Sequence, residues 1–281
     1  MFARLEKFLS YLPWTGDPKP IVPVVRMSGV IGEGQRFSQA LNLQGTAPLL
    51  EKAFGIKDAK AIAIVINSPG GSPVQSGLIF SRIRQLAEEK EKKVIVFAED
   101  VAASGGYLIA CAGDEIYAHE ASVVGSIGVI SAGFGFVGLL EKIGIDRRVY
   151  TAGESKSMLD PFQPEKEDDI ARLKQLQGEI HTYFKDLVRN SRGERLKAPR
   201  KQLFSGEVWV GEKAVRAGLI DGVGNVRDVL REKFGKEVRL PVMNARRRLR
   251  VPFVSTRQAP NPVKDLLAQL RSEALWAQNG Q

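Results

Sequence analysis

The chain contains 281 residues, of which 43% are hydrophobic and 26% are charged. These fractions are close to the averages of soluble globular proteins, so they supply a large apolar core and exclude wholesale disorder and collagen-like repetition. The single cysteine, Cys111, excludes an intrachain disulfide and leaves no second thiol for a zinc site, which favours a reducing, cytoplasmic location. The length fits one large domain with shorter appendages.

The net charge of +9 is distributed unevenly along the chain. From residue 241 onward there are seven Lys and Arg but only two acidic residues, so more than half of the excess charge belongs to this tail. The aromatic residues are few and are not interleaved with basic ones, so they offer no stacking platform for bases. We therefore predict that the protein does not bind nucleic acid and that the cluster from Arg246 to Arg250 is a solvated tail.

The N-terminal residues 1–14 place large apolar side chains on one helical face, but Arg4, Glu6 and Lys7 interrupt any signal-peptide core. The segment is too short to span a bilayer. It fits equally well an amphipathic helix that lies on a membrane surface and one that packs on its own domain. The first alternative predicts peripheral contact with the inner face of the membrane.

Residues 121–140 form an uncharged run of twenty residues. By length alone such a run predicts a transmembrane helix. Its many glycines and serines make it a poor helix, however. We therefore expect this run to form buried strands and turns in a core.

Short apolar runs alternate with helical periodicity along the middle of the chain. The predicted strands cover residues 21–31, 61–67, 93–98, 115–118 and 147–151. The predicted helices cover residues 73–92, 102–112, 165–190, 211–217 and 225–234. This alternation predicts an α/β fold with a right-handed ββα or βαβ wound sheet.

The helix predicted from residue 73 has its own start signals. Ser72 can cap its N-terminus, and Pro73 suits its first turn because an N–H group there would lack a helical partner anyway. Four apolar side chains of this helix are predicted to face the core. They are Leu78, Ile79, Ile83 and Leu86.

Two glycine-containing turns indicate a place where an anion could bind. Gly70 and Gly71 follow the second predicted strand, and Ser104 precedes Gly105 at the start of a predicted helix. Glycines let backbone N–H groups approach a ligand closely, and N–H groups at a helix start favour negative charge. The N–H groups of Gly71 and Gly105 are therefore candidates for binding an oxyanion together. A purely structural turn and an ordinary N-cap at Ser104 are the alternatives.

A serine nucleophile at residue 104 would need a base. The chain has two histidines, His119 and His181, and neither has a motif-like neighbour, so a Ser/His/Asp triad is not indicated. A lysine can replace histidine when burial keeps its amine neutral. Lys156, in the polar stretch GESKS, is the candidate, and a solvated surface lysine is the alternative.

Four stretches of the sequence carry a specific resemblance to a known family. They are NSPGGSP, VAASGGYLIACAGDEIYAHEASVVGSIGVI, GESKSMLDPF and FSGEVWVGEKAVRAGLIDGVGN. Together they resemble the signal peptide peptidase A family of serine proteases, peptidase family S49, whose members are relatives of the Clp protease. The resemblance runs from about residue 21 to residue 234. It implies a Clp protease/crotonase-like ββα superhelix.

The resemblance implies roles for five residues. Ser104 matches the family's nucleophile, and Lys156 matches its lysine base. Ser126 matches the serine that orients that lysine, and Gly71 and Gly105 match the oxyanion donors. No metal and no cofactor is implied.

The resemblance also implies a domain organisation and partners. Residues 1–20 would be an N-terminal extension, residues 21–241 the catalytic domain and residues 242–281 a basic tail. Peptides with small or apolar side chains at the cleavage site would be the substrates, including signal peptides and other small peptides released from membranes.

Longer family members carry two copies of the fold and take the serine from one and the lysine from the other. This single-copy chain is therefore expected to form a homo-oligomer whose site is completed between subunits.

Two rival functions are another enzyme of the same fold and, from a different class, a protein without catalytic activity. An acyl-CoA hydratase or thioesterase of the crotonase group would use a similar oxyanion hole, but it would need catalytic carboxylates where Asn67 and Ser68 stand. A non-catalytic membrane scaffold would need none of Ser104, Ser126 and Lys156. The presence of all three favours a protease.

Overall fold

The computed structural model describes residues 19–32, 41–153 and 155–244. The strands in these ranges are β1 (Val24–Ser28), β2 (Ile62–Ser68), β3 (Val94–Ala103), β4 (Glu115–Ala118), β5 (Val123–Gly125), β6 (Val208–Val210) and β7 (Gly222–Val223). The α-helices are α1 (Leu43–Phe54), α2 (Pro73–Glu89), α3 (Gly105–Ala110), α4 (Val137–Ile143), α5 (Glu167–Arg192), α6 (Arg200–Leu203), α7 (Gly211–Ala217) and α8 (Val226–Phe234).

Five of the strands form a parallel sheet in the order β1, β2, β3, β4, β7. A strand that is covered on both faces needs apolar residues at successive positions, and β2 has the sequence IAIVINS with nearly every residue buried. Ile64 in its middle aligns with Val25 of β1 and with Val96 of β3. Neighbouring parallel strands need crossover connections, and helices such as α1 and α2 supply them.

The ten-residue strand β3 changes partners along its length. Its first half pairs with β2 and β4. The pairing with β2 is irregular between Ile66 and Ser68, and beyond that point the second half of β3 pairs with β5, which pairs antiparallel with β6. Ser104, which follows β3 directly, therefore lies where the chain leaves the sheet between β2 and β5.

Both faces of the sheet are covered by helices. On one face α1, α2 and α3 contribute to a buried cluster that includes Ile64 and Val96 of the strands. On the other face Leu230 of α8 belongs to a second cluster with Val65 and Phe97. Side chains of alternate strand residues thus enter opposite cores, and the predicted wound α/β fold is confirmed.

Most of the predicted elements are observed, several with little change of bounds. The strand at 115–118 and the helix at 211–217 have the predicted limits. Ser72 caps α2 by accepting a hydrogen bond from the N–H of Gln75, and Pro73 is the first residue of that helix. These features depend on residues that are close together in the sequence, and a sequence pattern predicts such local features best.

Three predictions about strands and burial are wrong. Residues 147–151 form no strand and are exposed, because none of the strands in the described residues lies beside them to accept their hydrogen bonds. Leu78 is 43% exposed, since it faces α5 and not the sheet. Within residues 121–140 the predicted buried strand is observed as β5 and burial continues to Ile127, but the prediction is wrong beyond Gly128, where the chain runs over the surface.

An exposed segment connects β5 to α5, and we call residues 129–153 and 155–166 the arm. It contains α4, and none of these residues is buried. The Phe136 ring stacks on Phe162 with centroids 5.4 Å apart, and the Arg147 guanidinium lies 4.6 Å from the Phe162 centroid. The exposed large apolar residues of the arm are Ile130, Phe134, Leu139, Ile143, Ile145, Val149, Tyr150 and Phe162. Such a concentration of exposed apolar residues is typical of a contact surface.

Two sequence-based predictions lie outside the described residues. They are the amphipathic helix within residues 1–14 and the basic cluster from Arg246 to Arg250. Across the ranges that the structure covers, no helix has both the length and the apolar character required to cross a membrane.

Candidate active site

Ser104 stands at the turn between β3 and α3. Its φ of +51° and ψ of −121° are strained for a residue with a side chain, at a cost of roughly 1 to 3 kcal/mol. Ser104 occupies the N-cap position of α3, but its hydroxyl makes no capping hydrogen bond. A strained turn between a strand and a helix is one way in which enzymes present a nucleophile. The hydroxyl is therefore held at a sharp corner and is not used to cap the helix.

The segment from Gly70 to Ser72 is held extended by Ile31. The N–H of Ile31 donates to the Gly70 carbonyl at 2.8 Å, and the N–H of Ser72 donates to the Ile31 carbonyl at 2.8 Å. In a parallel bridge of this kind the middle residue, Gly71, directs its own N–H to the other side. Gly71 has φ +139°, and a side chain there would lie 2.1 Å from the Ile31 carbonyl oxygen. Only glycine fits this position.

Gly71 and Gly105 bring two backbone N–H groups together beside Ser104. A Cβ atom on Gly105 would lie 3.5 Å from the Gly71 nitrogen. A Cβ atom on Gly70 would lie 2.8 Å from Ser104 Cβ and 2.9 Å from the Gly105 nitrogen. Gly105 is the first residue of α3, where N–H groups have no partner within the helix. Two such donors, with no side chain between them, suit an oxyanion that forms next to the Ser104 hydroxyl.

Ser76 lies against this glycine turn, although the sequence does not indicate it. It is fully buried on α2, and its hydroxyl donates to the Ser72 carbonyl at 2.8 Å. A Cβ atom on Gly105 would lie 2.4 Å from that hydroxyl oxygen, so the close approach of α2 to α3 requires glycine at 105. In the sequence, Ser76 looks like one more polar residue of a helix. Its contact exists only because α2 packs on α3.

Ser126 follows β5 and is connected to Ser104 through the backbone. The N–H of Ser104 donates to the Gly125 carbonyl at 2.8 Å. Ser126 has φ +52°, and its own N–H donates to the Glu207 carbonyl at 2.8 Å. The N–H of Gly128 donates to the Ser126 carbonyl at 2.9 Å and closes a tight turn. Ser104 and Ser126 thus occupy adjoining turns, and both have a left-handed φ.

Lys156 lies in the arm, within a turn of residues 155–159. Its backbone N–H donates to the Gly153 carbonyl at 3.2 Å, and the residue is exposed. In the described part of one chain, no hydrogen bond joins Lys156 to Ser104. The structure of a single chain therefore assembles the serine and the glycine donors but leaves the predicted lysine in solvent.

The other nucleophile and base candidates are engaged elsewhere. Cys111 is buried at the end of α3, and burial raises the pKa of its thiol to about 12, so it stays protonated and unreactive. His119 Nδ1 accepts a hydrogen bond from the N–H of Ala121 at 3.2 Å. His181 Nε2 lies 3.1 Å from the Ile127 carbonyl oxygen. Each imidazole thus bonds to the backbone and not to Ser104.

An apolar cleft of 460 Å³ opens beside the first turn of α2. Pro73, Val74 and Leu78 line it on the α2 side, and Ile180 and Tyr183 line it on the α5 side. The lining of the cleft starts at Pro73, two residues after Gly71 in the chain. Its lining suits an apolar side chain of a ligand.

Comparison with known proteins identifies the family. The sequence profile of Peptidase family S49 matches residues 86–238, which is more than half of the chain. A protein of Brucella abortus named Na(+)/H(+) antiporter NhaA is 51% identical over 271 residues, which cover 92% of this chain and 37% of that protein. The chloroplastic serine protease SPPA of Arabidopsis thaliana is 34% identical over 218 residues, which cover 73% of this chain and 31% of that protein. The chain therefore spans well under half of the length of these curated relatives.

A solved structure of the 1510-N membrane-bound stomatin-specific protease, a lysine-to-alanine variant with a substrate peptide, aligns with a TM-score of 0.49 and 17% identity. The alignment covers 90% of this chain and 98% of that chain. The S49 profile begins within α2 and ends after α8, so it contains Ser104, Ser126 and Lys156. The parallel sheet and its helices form the Clp protease/crotonase-like fold that the sequence motifs imply. The chain belongs to peptidase family S49.

Proposed function

We propose that this chain is a serine endopeptidase with a Ser/Lys dyad. Ser104 Oγ attacks the scissile carbonyl carbon while the neutral amine of Lys156, oriented by Ser126, accepts the hydroxyl proton. The N–H groups of Gly71 and Gly105 donate to the oxyanion of the tetrahedral intermediate. The C–N bond then breaks, and the Lys156 ammonium returns its proton to the leaving amine. Water hydrolyses the acyl-serine by the same proton transfers in a second half-reaction.

The observation that supports this proposal most directly is the conformation of Ser104. The strained φ of Ser104 costs folding free energy. The Ser104 hydroxyl forms no capping hydrogen bond that would offset this cost. The glycine turn at 70–71 packs against Ser104 and Gly105, since a Cβ atom on Gly70 would lie 2.9 Å from the Gly105 nitrogen, and this supports Gly71 and Gly105 as the proposed donors. A non-catalytic scaffold has no use for this combination.

The crotonase rival is not supported by the residues at its required positions. Ser68 is fully buried, and its Oγ accepts a hydrogen bond from the N–H of Gly70 at 3.2 Å. The Asn67 amide donates to Asp100 at 2.6 Å and accepts from the N–H of Val101 at 3.2 Å. Both side chains thus stabilise the end of β2, and neither supplies a carboxylate.

The proposed substrates are signal peptides and other small peptides released from membranes. Signal peptides contain an apolar stretch of roughly 7 to 15 residues and small residues at their cleavage site. The apolar cleft between α2 and α5 fits such side chains, and its lining starts at Pro73, two residues after Gly71 in the chain. Peripheral contact with a membrane would depend on residues 1–14, which lie outside the described residues.

A fluorophosphonate probe is expected to label Ser104, because the reagent reacts with an activated serine hydroxyl and leaves a covalent adduct. Digestion and mass spectrometry of the labelled protein would locate the adduct. The variant Ser104→Ala should remain unlabelled, and Cys111→Ala should be labelled as strongly as the natural protein. An adduct at another residue, or equal labelling of Ser104→Ala, would refute the assignment of the nucleophile.

We further propose that Lys156 acts on Ser104 of a neighbouring copy in a homo-oligomer. An amine accepts a proton only in its neutral form, and burial is what favours that form of a lysine. In one chain Lys156 is exposed, on an arm that also exposes large apolar residues such as Phe134 and Tyr150. Packing of the arm against a second copy would bury both the lysine and these apolar side chains.

Mixing two inactive variants tests this arrangement. Ser104→Ala keeps Lys156, and Lys156→Ala keeps Ser104, so a site built from two chains can contain both intact groups. After subunit exchange in equal amounts, about one quarter of the natural activity is expected, because random assortment around a ring pairs the intact residues in about one site in four. No recovery, once native mass spectrometry has shown mixed oligomers, would place both residues of the dyad in the same chain.

A further inference from the structure

We infer that His181 is a positioning residue of the Ser/Lys site. Its Nε2 donates a hydrogen bond to the Ile127 carbonyl and thereby holds the backbone that carries Ser126. The inference rests on the proposed function, because His181 can position the site only if Ser126 orients Lys156 and Lys156 accepts the Ser104 proton. His181 itself touches none of the reacting atoms.

The backbone from Gly125 to Ile127 connects His181 with the nucleophile. The N–H of Ser104 donates to the Gly125 carbonyl, and two residues later the Ile127 carbonyl lies 3.1 Å from His181 Nε2. Between these anchors Ser126 has φ +52°, which a residue other than glycine keeps only when its surroundings enforce it. The Ile127 side chain is fully buried. The bonded carbonyl and the buried side chain together hold the backbone from which the Ser126 hydroxyl projects.

His181 lies in α5, the helix that follows the arm and carries the chain back to the body of the protein. The arm leaves after Gly128 and comes back along α5, a helix whose buried residues are Phe184, Val188 and Arg192. The bond from His181 to Ile127 therefore joins the outgoing chain to the returning helix about one turn before that helix enters the core. Because Lys156 lies within the arm, the same bond holds the base of the segment that carries the proposed general base.

The chemistry of the bond defines which replacements preserve it. A carbonyl oxygen only accepts, so Nε2 must carry a proton, as it does in one neutral tautomer and in the protonated ring. The bond thus depends on the reach of the donor and not on a positive charge. A glutamine amide can place an N–H donor at a reach close to that of Nε2. The asparagine amide is shorter by one methylene, and leucine has no donor.

The test uses the full chain and compares kcat and KM for one peptide substrate. His181→Leu is expected to lower kcat about 10- to 100-fold with KM nearly unchanged, because misplaced catalytic groups slow the chemical step more than they weaken binding. His181→Gln should restore kcat to near the natural value, whereas His181→Asn should resemble His181→Leu. Thr182→Ala is the matched control, since the Thr182 hydroxyl donates to the Gly178 carbonyl of its own helix at 2.8 Å. It should behave as the natural protein does.

Two results would overturn the inference. They are an unchanged kcat in His181→Leu, whether or not its KM rises, and a His181→Gln variant as slow as His181→Leu. If thermal unfolding shows that His181→Leu does not fold, the comparison of His181→Gln with His181→Asn decides, and equal kcat values refute the role. Failure of the natural protein to be labelled at Ser104 would instead refute the proposed peptidase, so the two failures are distinguishable.

Discussion

Replacement of Ser104 by alanine is expected to lower kcat for peptide hydrolysis by about 10⁴- to 10⁶-fold, because loss of a catalytic nucleophile removes the covalent route and leaves only the oxyanion donors. The fold should survive. The Ser104 hydroxyl makes no capping bond, and alanine at φ +51° is no more strained than serine, so the free energy of unfolding should change by less than about 1 kcal/mol. Steady-state hydrolysis of a fluorogenic peptide and urea denaturation measure the two effects.

The matched control for this replacement is Cys111→Ala. Cys111 carries a thiol at the end of the same helix, α3, but it is buried and the pKa of the thiol is raised to about 12. Removing the thiol should leave kcat nearly unchanged and reduce stability modestly, since it deletes a buried group. A fully active Ser104→Ala protein, or an inactive but folded Cys111→Ala protein, would contradict the proposed mechanism.

Replacement of Lys156 by arginine is expected to lower kcat by about 10²- to 10⁴-fold, the usual contribution of a general base. The guanidinium keeps the positive charge, but it stays protonated throughout the physiological range and cannot accept the Ser104 proton. The rate of fluorophosphonate labelling at Ser104 should fall together with kcat, since both reactions need the hydroxyl to be activated. Single-turnover labelling measures this step without the later half-reaction.

Lys142→Arg is the control for this replacement. Lys142 is also an exposed lysine of the arm and lies on α4. The variant therefore makes the same lysine-to-arginine replacement at a position that has no proposed role. It should leave both kcat and the labelling rate as they are. If Lys156→Arg retained full activity, a lysine base would be ruled out and the dyad would have to be abandoned.

The sequence predicted the sheet and the helices well where the signals were local. The apolar run at 61–67 appears as β2, and the Ser72 cap with Pro73 begins α2 as expected. These features depend on backbone preferences and on hydrogen bonds to residues a few positions away. The prediction of a strand at 147–151 is wrong because a strand also needs a partner, and no strand in the part of the chain that the structure describes lies beside these residues.

Burial was predicted less well than secondary structure. The uncharged composition of residues 121–140 indicated a core, yet Ile130 and Phe134 are 67% and 81% exposed. Composition indicates that removing an apolar side chain from water is favourable, but it does not indicate which surface will cover that side chain. For the arm we propose that this surface belongs to a second copy of the chain.

Local sequence and motifs, taken without any structure, determined the α/β class, the family and the set of residues proposed for the site. The tertiary structure alone decided that Gly71 and Gly105 adjoin Ser104, since Ile31 holds the glycine turn through hydrogen bonds between residues about forty positions apart. It also decided that Lys156 is exposed and that His181 bonds to Ile127. The physical reason is that long-range backbone pairing and helix packing set these distances, and no pattern of neighbouring residues encodes them.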